Sequence, residues 1–223
     1  LTGQFAVGAL TLNPADVYPA PLELTGAHAE FRLRLHPFDL TLGEALIHDG
    51  DNPVRLDGRL RATPLGWRYA INGRIGEIEA ARLLEIWPQA ALAKPRIWVN
   101  RNVHAGRLLD VDWAVRGRPG QAEPDVYADF EFEGGEVEFS PNLPPLTGLA
   151  GQASFASNRL VATATQGQVM ADAGGALDVA GTAFIVPDVA VKPGTPAIVR
   201  VQGRGTPTAV LSLLDRPPLV LQM

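Results

Sequence analysis

The chain has 223 residues with 19 basic and 24 acidic side chains, a formal net charge of −5, and no cysteine. The acidic balance argues against a non-specific nucleic-acid binder, and the lack of cysteine excludes disulfides, Cys-ligated zinc and a thiol nucleophile. The frequent glycine (23) and proline (19) residues favour many short strands over long helices. No apolar run reaches the ~18 residues of a membrane span. Because the chain begins at Leu1, we expect it to be a segment of a longer protein, with any anchor outside it.

Alternation of apolar and polar residues predicts strands along most of the chain. Phe31, Leu33 and Leu35 take one side of a strand whose other side is charged. The same period recurs at 1–12, 38–42, 54–60, 67–75, 109–115 and 125–139, and shorter strands follow as far as 203. In 125–139, Gly134-Gly135 is typical of a two-residue hairpin turn. The pattern predicts a mainly β fold: an antiparallel sheet with one apolar face.

Helical periodicity is confined to 77–87, which Pro88 ends, and to 207–215, where Thr206 is a capping residue. These two segments also indicate an internal repeat, since 72–74 matches 202–204 at the same distance before each helix. We therefore predict three parts of the chain. They are a first β unit at 1–88 with its terminal helix at 77–87, bridging strands and the hairpin at 89–141, and a second β unit at 142–223 with its terminal helix at 207–215.

Side chains that carry chemistry are sparse. The most metal-like cluster, His48-Asp49-Gly50-Asp51-Asn52, lacks the ligand spacing of a calcium loop and is typical of a polar turn. We find no catalytic set, and we expect no enzyme, no cofactor and no metal. The apolar surface is more informative, because two short helices cannot cover the apolar faces of a dozen strands. Either two sheets pack together as a sandwich, or a curved sheet leaves an open apolar trough, which would be a binding site.

The segment 141–151 and the strand that follows it at 160–169 form one recurring sequence pattern. Ile86-Trp87-Pro88 and residues 96–102 precede that pattern, and a closing helix and exit follow it at 213–219. Together these segments resemble AsmA-like bacterial envelope proteins of the YhdP type, which are related to TamB. The match covers about residues 70–219 and contains no catalytic residue.

The resemblance implies an elongated, curved sheet with a groove, called a β-taco, built here from two repeated strand–helix units. It implies a periplasmic segment of a protein anchored in the inner membrane, whose groove shields phospholipid acyl chains between the inner and outer membranes. The partners expected are phospholipid and other envelope proteins, and not nucleic acid. The alternative is a non-enzymatic structural or protein-interaction module of the envelope. The candidate lipid-binding residues are the apolar members of the alternating strands: Phe31, Leu33, Leu40, Leu42, Trp113, Phe130, Phe132 and Phe139.

Overall fold

A computed structural model of the protein describes residues 1–14, 17–50, 52–89, 91–191 and 196–217. Strands make up 57% of the chain, and they form a large antiparallel sheet that is not closed. The mainly β, antiparallel prediction is therefore confirmed. Asp51 of the polar turn and residues 218–219 of the closing motif lie outside the described residues.

The main sheet contains twelve strands, and two more form a separate ribbon. The strands are β1 (Thr2–Val7), β2 (Leu10–Leu12), β3 (Leu22–Leu24), β4 (Gly26–Leu35), β5 (Phe38–His48), β6 (Val54–Thr63), β7 (Gly66–Glu79), β8 (Val103–Gly117), β9 (Asp125–Val137), β10 (Leu146–Ala156), β11 (Arg159–Met170), β12 (Ala176–Asp178), β13 (Ala183–Val186) and β14 (Ile198–Arg200). The helices are α1 (Ala80–Ile86), α2 (Ala93–Asn102) and α3 (Pro207–Leu214).

The sheet is a meander, because most neighbours in space are neighbours in sequence. Its order is β1-β4-β5-β6-β7-β8-β9-β10-β11-β13-β14, with β12 pairing the end of β11, and β2 and β3 form the ribbon. The tight connections at 36–37, 64–65 and 157–158 lie at one end of the strands, which we call the turn end. Helix α1 and the longer connections at 138–145 and 171–175 lie at the opposite end, which we call the helix end.

Helices α1 and α3 lie close to the two segments in which the sequence predicted helices. Helix α1 starts at Ala80 because residues 77–79 still belong to β7, so the predicted start at 77 is three residues early. Helix α3 is capped as expected, with the Thr206 hydroxyl accepting a hydrogen bond from the backbone N–H of Ala209 at 3.1 Å.

Helix α2 is a third helix that the sequence prediction missed. Its first turn contains Pro95, which is compatible with a helix only there, and none of its residues is buried. Ile97 and Trp98 remain exposed, so the segment has no apolar stripe that periodicity could detect.

Gly134 and Gly135 do not form the predicted hairpin turn. Strand β9 continues through both residues, and Val137 pairs with β8 and β10 together. Gly134 adopts a φ of +62°, which suits a bulge as well as a turn. Gly135 is buried against Gly106 of β8. A Cβ added to Gly106 would lie only 3.0 Å from the Cα of Gly135. The glycines therefore serve close approach of strands.

The structure does not confirm the two repeated strand–helix units. Residues 72–74 lie in the middle of β7, whereas of their counterparts 202–204 only Arg204 makes a bridge, with Asp178. Similar residues at equal spacing before a helix here occupy different structures.

Five strand ladders contain register shifts. They are the ladders of β4 with β5, β5 with β6, β8 with β9, β9 with β10, and β10 with β11. Asp110, at a φ of +47°, lies in the shift that sets two residues of β8 against Phe130. A bulge bends its strand and increases the local twist, so bends recur across the sheet.

Candidate functional site

One side of the main sheet carries apolar side chains from β1 to β14, and we call it the apolar face. Apolar residues and a glycine oppose one another across four of its strands: Phe31 opposes Leu42, Leu42 opposes Gly58, and Gly58 opposes Ile71. Its larger members include Phe5, Phe31, Leu33, Leu35, Phe38, Leu40, Leu42, Leu56, Leu60, Trp67, Tyr69, Ile71, Ile75, Ile78, Leu108, Val111, Trp113, Phe130, Phe132, Phe155, Leu160, Phe184 and Val199.

Seven of the eight predicted site residues lie on this face. Two come from each of β4, β5 and β9 and one from β8, and all seven are half-buried: Phe31, Leu33, Leu40, Leu42, Trp113, Phe130 and Phe132. Phe139 is different, because β9 ends at Val137 and the alternation does not extend to it. Its side chain is exposed beyond the sheet.

The apolar face is not covered by a second sheet. The chain exposes 13768 Å², whereas a compact protein of 23.8 kDa exposes roughly 9,900 Å². No large side chain among the described residues is fully buried. The described residues therefore do not form a closed sandwich.

The helices cover the helix end of the apolar face. Under α1, Ile75, Ile78 and Val111 form a buried cluster against which Leu83 and Ile86 pack. Under α3, a second cluster includes Leu149, Ala164, Val169, Leu177 and Ala209, and Val210 and Leu213 pack against it. These two clusters contain ten of the sixteen buried apolar side chains among the described residues.

Away from the helices the face opens. Along β7 the exposed fraction rises from 5% at Ile75 to 36% at Ile71 and 52% at Trp67. At the turn end of β4, Leu35 is 62% exposed. On β10, Phe155 is buried at the turn end as well, so this gradient describes β4–β7 and not the whole sheet.

An arginine fixes each covering helix to a loop of the sheet. Arg82 of α1 donates to Asp49, with Nε to Oδ2 at 2.8 Å, and to the backbone carbonyl of Glu23 at 3.2 Å. The hydrogen bond to Asp49 raises the pKa of Arg82 above its ordinary value. Arg216, just after α3, donates from Nε to Oδ2 of Asp172 at 2.7 Å. Both contacts are paired hydrogen bonds from a guanidinium to a carboxylate, which fix orientation as well as distance.

Aromatic rings on the apolar face lie over glycines of the neighbouring strand. A Cβ on Gly73 would overlap Trp113, one on Gly117 would overlap Tyr69, and one on Gly151 would be 2.8 Å from Phe132. Phe31 lies over Gly3 in the same way, at 2.9 Å. These rings therefore pack against the backbone of the neighbouring strand. Phe38 and Trp67 add an edge-to-face pair with centroids 5.4 Å apart.

The opposite side of the sheet, which we call the polar face, carries ion pairs between strands. Arg74 pairs with Asp112 at 2.5 Å, and Arg107 pairs with Glu77 at 3.0 Å and also with Glu133. Hydrogen bonding to Glu133 raises the pKa of Arg107. Near the turn end, Asp39 accepts from Arg59 Nε at 2.7 Å. That hydrogen bond lowers the pKa of Asp39 to about 2, and it raises the pKa of Arg59.

Three further residues on the open part of the apolar face were not predicted as site residues: Trp67, Tyr69 and Ile71. Their alternation was visible, but the burial gradient that distinguishes them depends on where α1 folds back. The glycines under the rings do have a sequence signal, since Gly73 and Gly151 replace apolar residues within alternating strands.

Comparisons of the chain with family models, curated proteins and solved structures give no significant match. Within the described ranges, no helix is long and apolar enough to cross a bilayer. The same ranges contain no group of three or more side chains suited to hold a metal ion.

Proposed function

We propose that this chain is a segment of an AsmA-like lipid-transfer protein and that its apolar face shields phospholipid acyl chains. The observation that carries the proposal is the apolar face, open at the turn end of β4–β7, opposite a charged face. Soluble proteins rarely leave so large an apolar surface open unless it binds something. The β-taco of the AsmA-like proteins supplies the geometry, and the recurring bulges support such a curvature.

Binding on this face is passive. Each CH₂ that leaves water gains ~0.8 kcal/mol, and the gain has no preferred direction. Rings such as Trp113 pack over glycine of the neighbouring strand, so they project less into the path of an acyl chain. An acyl chain meets many equivalent positions on this face, so a lipid slides along it while its headgroup stays at the water-facing border.

The covering helices set the border of the proposed path. Beneath α1 the face is already filled by its own side chains, with Ile75 and Ile78 at 5% and 6% exposure. Acyl chains therefore occupy the turn end, over Leu40, Ile71 and Trp67, and not the helix end. In the longer protein this segment lies in the periplasm, with an anchor in the inner membrane supplied by sequence outside it.

Native mass spectrometry of the purified chain, with organic extraction of bound lipid, tests the proposal. We expect co-purified phospholipid. Ile71→Glu places a charge on the open apolar face and should abolish lipid pickup while the protein stays folded. Ala70→Glu is the matched control, because the adjacent residue points to the polar face between Arg59 and Arg116. A lipid-free protein, or equal loss in both variants, contradicts the proposal.

One observation favours the alternative, a protein-interaction module of the envelope. Strand β14 lies at the end of the strand order and pairs only with β13 among the described strands. Its residues are exposed, including Ile198 at 57% and Val199 at 49%. An edge of this kind accepts a strand from a partner protein. If Ile198→Lys abolishes binding to an envelope protein while lipid pickup is absent from the start, the alternative is the better description.

A further inference from the structure

A depression on the polar face has an unusual charge. It measures about 600 Å³ and is formed by the turn-end parts of β4, β5 and β6. Its charged and polar lining consists of Arg32, Arg34, His36, Asp39, Thr41 and Arg59. Three arginines thus accompany a single carboxylate, in a chain whose formal net charge is −5.

Strand register explains how the arginines gather. Arg34 lies opposite Asp39, and Asp39 lies opposite Arg61. One step along, Arg32 lies opposite Thr41, which lies opposite Arg59. Four arginines therefore surround Asp39, two across the ladders and two on the diagonals.

The carboxylate of Asp39 already has two arginine partners. Arg59 donates to Asp39 Oδ1 at 2.7 Å, and Arg61 lies 3.3 Å from Oδ2. Among the described residues, no carboxylate lies within ion-pair distance of Arg32 or Arg34. Both arginines line the depression, where Asp39, the one carboxylate of the lining, is held by Arg59 and Arg61.

A second unfavourable feature lies beside the depression. Arg61 lies directly opposite Arg68 on β7, and like charges in such a pair are destabilising. Other arginines of the polar face, such as Arg74 and Arg107, oppose or flank acidic residues and pair with them. Arg55 and Arg74 also oppose each other, but Glu44 and Asp112 pair with them, whereas Arg68 has no ion pair among the described residues.

We propose that this depression binds a phosphate group. Guanidinium groups present fixed pairs of N–H donors that match phosphate oxygens, and two unpaired guanidinium groups on one strand offer such donors together. The phosphate belongs to a lipid headgroup or to a small soluble anion, which have the same chemistry at this site. The site lies on the opposite side of the sheet from the proposed acyl-chain surface, so the phosphate proposal does not depend on the lipid-transfer proposal.

Titration of the wild-type chain with inorganic phosphate, followed by NMR of the arginine Nε–H signals, tests the small anion. Sedimentation with vesicles of phosphatidylcholine alone, or with added phosphatidylglycerol, tests the headgroup. Arg32 and Arg34 signals should shift with phosphate, or the chain should sediment only with the anionic vesicles. Vesicle binding without a phosphate response assigns the site to a lipid headgroup, and both responses together assign it to phosphate in general. Higher salt should weaken either response.

The double variant Arg32→Gln/Arg34→Gln should weaken binding about tenfold or more, since each basic residue near an anionic surface contributes ~5-fold. The matched control is Arg74→Gln/Arg118→Gln, which removes the same charge from arginines that are exposed and paired. Lipid extracted from the apolar face should be unchanged in both. Absence of both wild-type responses, or equal weakening by the control, overturns the phosphate site.

Discussion

Ile75 and Ile71 lie four residues apart on β7, on the same apolar face, yet one is 5% exposed and the other 36%. The difference comes from α1, whose Leu83 and Ile86 pack over the cluster of Ile75 and do not extend to Ile71. The helix end of the sheet is thus a protein core, and the turn end of β4–β7 keeps the same kind of side chain without a cover. The same residue type contributes to stability at one end and remains available for binding at the other.

The largest expected effect is on stability at the helix end. Ile75→Ala should reduce the free energy of unfolding by about 3 kcal/mol, because it removes buried methyl groups and leaves a cavity. Ile71→Ala should cost about 1 kcal/mol, because the side chain is partly hydrated already. Urea unfolding followed by circular dichroism measures both. Similar losses in the two variants would mean that the two ends do not differ in packing.

The rings that pack over glycine on the apolar face give the next effect. Gly73→Ala places a Cβ where Trp113 lies, so the ring must move away from the sheet, at a cost of roughly 1–3 kcal/mol. Gly76→Ala on the same strand meets nothing within 4 Å and should change stability by less than ~0.5 kcal/mol. Tryptophan emission, with a Trp113→Phe reference to isolate that ring, should change only in the Gly73 variant. An unchanged Trp113 signal would show that the indole ring does not pack against Gly73.

The cover itself can be loosened without touching the core. Arg82→Gln removes the contacts to Asp49 and to the Glu23 carbonyl and should cost about 1–2 kcal/mol, as expected for charge-assisted hydrogen bonds that are partly shielded from water. Arg74→Gln breaks a pair whose side chains are 76% and 56% exposed, and it should cost ~0–0.5 kcal/mol. Amide hydrogen exchange in α1 should accelerate only in the first variant. If α1 exchanges equally fast in both variants, Arg82 does not hold the helix in place.

The sequence predicted the apolar face itself better than it predicted which part of that face α1 covers. Alternation identified the apolar face from Phe31 to Phe132, because a strand has only two sides and its period of two is unambiguous. It did not predict which part of the face would be covered, since that depends on the path of α1 after Glu79. Gly134 was misassigned because a glycine with positive φ fits a bulge and a turn equally well. Helix α2 left no signal because its apolar residues, such as Ile97 and Trp98, face solvent.

The smallest effect concerns the polar face at the turn end, where Asp39 pairs with Arg59 and Arg61. The hydrogen bond from Arg59 lowers the pKa of Asp39 from 3.8 to about 2. Because the folded-state pKa lies below the unfolded one, this carboxylate stabilises the fold fully above about pH 4 and loses that contribution as pH falls towards 2. Asp39→Asn should therefore lower the melting temperature slightly at pH 7, and the difference from wild type should shrink between pH 4 and 2. A difference that stays constant over that range would show that Asp39 does not act through its charge.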